Sequence, residues 1–600
     1  MQRVLKRSEV KQEHTWDLEA IYANASAWEA DFSKVEAMIP ALSAFHGKLG
    51  ESGATLLSAL QQRDEIYLLF SQVAVYAHMK RDEDNSNPAS QALMEKVTSL
   101  GAQIGAVASY MTPEILALPE ETLNAYLQST PGLELYKFEL EDTYRQKAHV
   151  RSAEIEELLA QVSEIAGAPR NIFTMLNNAD LEFPSVKDEE GNEVELTHGR
   201  YIRFLESSDR NVREGAFRAL YETYTKYKNT IGATFGASVK KDVVNARARN
   251  YESARAAALA ENNIPESVYD NLVATVNKNL PAFHKYLQLR KKLLGVDQLQ
   301  MWDIYTPLVP EMNKQIPYEE AVETIIAALA PLGEEYGRLA REGLTTKRWV
   351  DRYENTGKTS GAYSSGTYTT HPYILMNYQG TLDSMFTLAH ELGHSMHSYY
   401  SKKNQPFIYS NYTIFVAEVA STFNEALLTN HLLKSTDDKK LQMYVINHQL
   451  ESIRGTLYRQ TMFAEYEQKV HELAEERQPL TPDTLSEIYY DLNKRFFGTE
   501  GMVVDEAIAM EWARIPHFYR AFYVYQYSTG ISAATSLAQQ VLQEGQPAVE
   551  RYLNFLKGGG SKYSIDLLKG AGVDMNTPAP VQQTLDLFSQ LVDQMAALAE

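Results

Sequence analysis

The 600-residue chain contains no cysteine, which excludes a disulfide framework, thiolate zinc ligands, iron–sulfur clusters and a thiol nucleophile. Any metal it binds must be held by His, Asp or Glu. Long apolar runs are missing too: no stretch approaches the ~18–20 residues that cross a bilayer, and the longest, such as 325–330, are short. The opening MQRVLKRSEVKQEHTWDLEAIY has neither an apolar core nor the small-residue cleavage site of a secretion signal. Basic residues are outnumbered, 57 against 78 acidic ones, for a formal charge of −21. Nucleic-acid binding needs a basic face, so that class is set aside. Together these features predict a cytoplasmic protein without membrane or nucleic-acid partners, and they say nothing about oligomeric state.

What is present is mainly helical. Apolar residues recur at three- and four-residue spacing over 27–39, 54–79, 87–110 and 152–166. The period changes between 181 and 204, where Leu-Glu-Phe-Pro-Ser-Val and Val-Glu-Leu-Thr flank a polar turn at Gly191, predicting a short hairpin. A domain boundary is placed there, giving an N-terminal helical domain over 1–195 and a second domain over 196–600. Residues 347–380 are the least helical stretch. Within it, Pro372 to Tyr378 is expected to form an edge strand able to take a peptide by strand addition, with Tyr373 and Tyr378 as substrate-binding residues. Gly361 to Gly366 is expected to be a mobile flap, and 557–562 (KGGGSK) a flexible break.

The chemistry concentrates at His390-Glu391-Leu-Gly-His394, inside a helical pattern over about 381–400. At ~100° per residue the two histidines stand about 40° apart on one face and one turn apart, so both imidazoles can reach one ion. Glu391 lies ~100° round, off the ligand stripe but within reach of a water on the metal. A chain of this composition would produce about 0.02–0.03 such matches by accident. The half-motif His471-Glu472 ending in Glu475 is read as a solvated helical face. Three protein ligands leave a catalytic zinc one open position. Glu418, in the apolar run Tyr412 to Glu425, is the expected third ligand, because an unpaired carboxylate there is costly. Glu425, two turns on, is expected to orient a ligand imidazole, and His397, one turn beyond His394, to stand behind the ligands.

With HELGH followed 24 residues later by the Glu of FVAEVASTFNE, the chain resembles the thimet oligopeptidase-like zinc metallopeptidases, and TWDLEAIY and GAYSSGTYTTHPYILMNYQGTLDSMFTLAHELGHSMHS resemble the oligoendopeptidase F group. The resemblance implies a mainly α, two-lobed zincin-like metallopeptidase. It implies a deep central channel, a small β-sheet beside the HExxH helix, and one Zn²⁺ per chain on His390, His394 and Glu418. Glu391 would be the base, and short unstructured peptides the substrates, cut at internal bonds. Relatives carry a His followed by tyrosines that contact the peptide and its oxyanion. The corresponding run here is His517 to Tyr527, with a shorter His-to-Tyr interval. A helical run would place Tyr519, Tyr523 and Tyr527 on one face, an extended one Tyr523, Tyr525 and Tyr527. His517 and Tyr525 are assigned to the transition state, Tyr523 and Tyr527 to the site lining. Two other readings stand: a zinc carboxypeptidase or dipeptidase, with Arg514 or Arg520 holding the terminal carboxylate, and a non-catalytic peptide-binding protein with structural zinc.

Overall fold

A computed structural model describes residues 3–309 and 315–600. The chain is mainly helical, 71% helix against 3% strand, as its apolar spacing predicts. Contacts divide it into two units that interleave in sequence. The first comprises Met1–Ala148, Lys314–His431 and Leu537–Gly572; the second comprises His149–Asn313, Leu432–Ser536 and Val573–Glu600. Neither coincides with the division at 195, because packing joins segments far apart in sequence.

The first unit opens with the helices Ala25–Ser43, Gly53–Glu83 and Pro88–Ala108. Their N-termini are capped by Asn24, Ser52 and Asn87, each accepting a backbone N–H. Trp16, Trp28, Val73 and Tyr76 pack in one core with Tyr373 and Leu375, which ties this bundle to a three-stranded sheet. In that sheet Tyr373–Leu375 is the central strand, parallel to Val350–Asp351 and antiparallel to Tyr363–Ser365. The expected edge strand is therefore internal, all three residues being buried. Its ladder groups are used on both sides, so it cannot accept an added peptide strand. The outer positions belong to Val350–Asp351 and to Tyr363–Ser365, the latter within the segment expected to be a flap.

The glycines of 558–560 are not a flexible break either. A β-carbon on Gly559 would stand 2.2 Å from the Tyr409 carbonyl oxygen, and Gly560 N–H donates to that oxygen at 2.8 Å. They are small because another segment passes against them.

The second unit contains the expected hairpin, Ser185–Lys187 paired antiparallel with Glu193–Glu195, and Gly191 takes φ +82° in the turn. The extended pattern near 298–309 reduces to Leu299–Gln300, paired in parallel with Met502–Val503. The helix Arg459–Glu475 is buried on more than one face, and His471 is 1% exposed. The reading of His471 as part of a solvated face is thus corrected: local sequence showed the charged neighbours, not the helices packed around them. No helix among the described residues is long and apolar enough to cross a membrane.

Candidate metal centre

The histidine pair sits on the helix Leu382–Asn404. Thr381 caps its start, with Oγ1 accepting from Ser384 N–H, Asp383 lies in the first turn, and Lys402 and Lys403 lie in the last, matching the helix dipole at both ends. The carboxylates come from Ile414–Ser435. The two helices approach closely at Gly393, where a β-carbon would be 2.4 Å from the Ala420 carbonyl oxygen and 2.5 Å from Ser421 Cα. Asn424, fully buried, donates to the Ala389 carbonyl at 3.1 Å and locks the register of the pair.

That register brings three donor atoms together. His390 Nε2 and His394 Nε2 are 3.2 Å apart, and Glu418 Oε2 is 3.2 Å from the first and 3.3 Å from the second. Zinc bound tetrahedrally at ~2.0–2.1 Å requires ligand atoms about 3.3 Å apart, so the triangle has the dimensions of one face of such a site. These residues form the metal-competent group found among the described residues. Ser421 Oγ donates to Glu418 Oε2 at 3.1 Å and steadies it.

Glu425 Oε1 accepts the Nδ1–H of His390 at 2.5 Å, which leaves the Nε2 lone pair facing the group. Burial alone would depress His390, but Glu418 and Glu425 overcome it and raise the imidazole to about 10. Burial likewise opposes ionisation of Glu418, yet the two histidines hold it well below the usual carboxylate range. This mutual stabilisation of charge is what a cation at the same place would replace.

Glu391 is buried, and its Oε2 has no hydrogen-bond partner among the described residues. Burial raises its pKa against the pull of His394 and His390. A buried, unbonded carboxylate oxygen is costly unless something else uses it. His397 lies apart from this group: 1% exposed, it stacks on Tyr412 with ring centroids 3.7 Å apart, and burial pushes it down to about 3. The hydroxyl of its stacking partner Tyr412 is 3.0 Å from Ser398 Oγ and 3.5 Å from the His394 carbonyl.

Tyr373 and Tyr378 do not present their hydroxyls for substrate. Both are buried; Tyr373 donates to the Asp17 carbonyl at 3.0 Å and Tyr378 to the Ile316 carbonyl at 2.8 Å. Instead, the strand Tyr363–Ser365 touches the histidine helix, with Ser364 Oγ 2.8 Å from Ser395 Oγ.

In the second unit, the His517 to Tyr527 run is neither one helix nor one strand. Pro516–Tyr519 is a turn of 3₁₀ helix, Phe522 adopts φ +52°, and a new helix begins at Tyr525. Phe522 N–H donates to the buried Glu467 at 2.9 Å, holding the break. His517, Tyr523 and Tyr527 gather beside it: the His517 ring is 6.0 Å from both tyrosine rings, which are 5.5 Å apart, and the Tyr527 hydroxyl is 3.5 Å from His517 Nε2. Tyr525 points the other way, 3% exposed, with its ring 5.2 Å from Tyr269. Its assignment to the transition state is corrected on that ground. Gly393, Ser421, Asn424 and Glu467 were missed from the sequence; of these only Gly393, a small residue inside an apolar helix, left a signal.

Residues 203–587 match the family described as Peptidase family M3, and residues 114–183 the one described as Oligopeptidase F. Oligopeptidase PepF of Bacillus subtilis (strain 168) is 51% identical over 592 residues, 99% of this chain and 88% of that protein. Group B oligopeptidase PepB of Streptococcus agalactiae is 41% identical over 97% of each chain. The crystal structure of oligoendopeptidase-F from Enterococcus faecium matches with a TM-score of 0.76 at 38% identity, covering 95% of this chain and 98% of that one.

Proposed function

The chain belongs to peptidase family M3, and from that premise we propose that it is a zinc-dependent endopeptidase hydrolysing internal bonds of short, unstructured peptides. The triangle of His390 Nε2, His394 Nε2 and Glu418 Oε2, with edges of 3.2–3.3 Å, carries the reading. These three residues would hold one zinc ion per chain. When bound, zinc supplies a Lewis acid that polarises a peptide carbonyl and lowers the pKa of a water.

The remaining work falls to side chains. Glu391 takes the proton of the attacking water on its unbonded Oε2 and passes it to the departing amine. Glu425 keeps the His390 proton on Nδ1 and so fixes the imidazole's orientation. His517, Tyr523 and Tyr527 are assigned to hydrogen-bonding the peptide and its developing oxyanion. His397 supports the site by packing. As a division of lineage rather than packing, we keep the boundary near 195, between the two family matches.

The test is an internally quenched peptide blocked at both ends, assayed before and after chelation and zinc repletion. Metal-dependent cleavage at an internal bond is expected. A blocked peptide left intact while free-ended peptides lose terminal residues would convert the assignment to an exopeptidase.

A further inference from the structure

The second unit holds a cavity of about 30 Å³, lined mainly by apolar and aromatic side chains, with Arg454, Arg459, Arg514 and Glu511 as its charged lining. One water needs about 10–15 Å³ of such room, so the space takes two or three waters or one ion of halide size.

The charges around it do not balance. Arg459 pairs with Glu511 through Nη2 at 2.7 Å and Nη1 at 3.3 Å, and Tyr489 donates to the same carboxylate at 2.5 Å. Arg454 pairs with Glu451 through Nε at 2.9 Å and Nη2 at 2.7 Å, and Arg290 reaches the other oxygen of Glu451 at 3.1 Å. Arg514 makes no hydrogen bond among the described residues. Its ion pair with the already occupied Glu511 spans 3.6 Å, and its guanidinium lies 5.0 Å from the Tyr201 ring centroid. Four guanidiniums thus share two carboxylates. A cation held largely from water without a carboxylate of its own, as Arg514 is with its side chain 18% exposed, is destabilising, and a guanidinium cannot escape by losing its proton. The excess is local, since the whole chain carries a formal charge of −21. A mostly apolar space whose charged lining carries surplus positive charge favours an anion over a cation or a neutral polar group.

We propose that this cavity binds one small monovalent inorganic anion of halide size, held by Arg514 with Arg454 and Arg459. The anion completes the charge balance of the second unit and stabilises it.

Two measurements on the full chain test this. Crystals of the wild-type protein soaked in bromide should show an anomalous peak among the three guanidiniums. In solution, replacing gluconate by chloride at equal ionic strength should raise Tm by about 1–2 °C, and Arg514→Gln should abolish that difference. Water alone at the site in the bromide map overturns the proposal, whatever the melting shows. A chloride shift unchanged in Arg514→Gln also overturns it. If Arg514→Gln does not fold, the wild-type bromide map decides alone.

Discussion

Gly393 and Ala420 set the distance between the helices that carry the histidines and the glutamates: a β-carbon at Gly393 would stand 2.4 Å from the Ala420 carbonyl oxygen. The 3.2–3.3 Å triangle depends on that contact. Gly393→Ala should push the helices apart, at a stability cost of ~1–3 kcal/mol for overpacking, and should reduce zinc retention on dialysis as well as activity. Metal analysis beside a melting curve checks this; full zinc content with normal turnover would show that the contact does not set the geometry.

Glu391→Gln keeps the shape of the side chain and removes its basicity. Turnover should fall by ~10²–10⁴, while metal content and peptide affinity stay near wild type. Retained turnover would remove Glu391 from proton transfer.

Glu425→Gln weakens the acceptor that bonds His390 Nδ1 at 2.5 Å. Zinc affinity should drop ~10–100-fold, measurable by competition with a chelator of known affinity. An unchanged affinity would make Glu425 a packing residue.

The two tyrosines separated by one residue should behave oppositely. Tyr527 stands with His517 and Tyr523, whereas Tyr525 packs on Tyr269 in the core. Tyr527→Phe should lower kcat by ~10²–10³ if its hydroxyl supports the oxyanion. Tyr525→Phe keeps the core ring and should leave kcat close to wild type. Steady-state kinetics on one peptide substrate distinguishes them, and the reverse pattern would restore the assignment of Tyr525.

Lys402, whose amino group donates to the Gly366 carbonyl at 3.0 Å and to no other group among the described residues, is lowered by burial to about 8. An unfolded lysine titrates near 10.4, so between about pH 8 and 10.4 the unfolded chain binds a proton that the native chain does not. Stability therefore rises with pH through this window, and below it the native state bears a cost on the order of 3 kcal/mol. Lys402→Met should raise Tm at pH 7, with the gain fading toward pH 10. A gain independent of pH would exclude the charge as its cause.

The helical body and the metal-competent group of His390, His394 and Glu418 were legible because both are written in short-range spacing. His390 and His394 one turn apart, and Glu418 and Glu425 two turns apart, fix which faces they share before any folding is considered. The strand at Tyr373–Leu375 was legible as a strand but not as a central one. An edge is defined by the absence of a neighbour, and Val350–Asp351 pairs with it across 24 residues. His471 failed for the same reason, since its burial comes from other helices.

By itself, then, the sequence confined any metal site to nitrogen and oxygen donors through the absence of cysteine, and helical spacing put His390 and His394 on one face. Tertiary structure alone decided how near those donor atoms come, through the Gly393 contact, and which tyrosine faces outward, through the turn at Phe522. Helical spacing is a property of the local backbone, whereas interhelical distance, strand order and burial depend on partners far along the chain that no local pattern names.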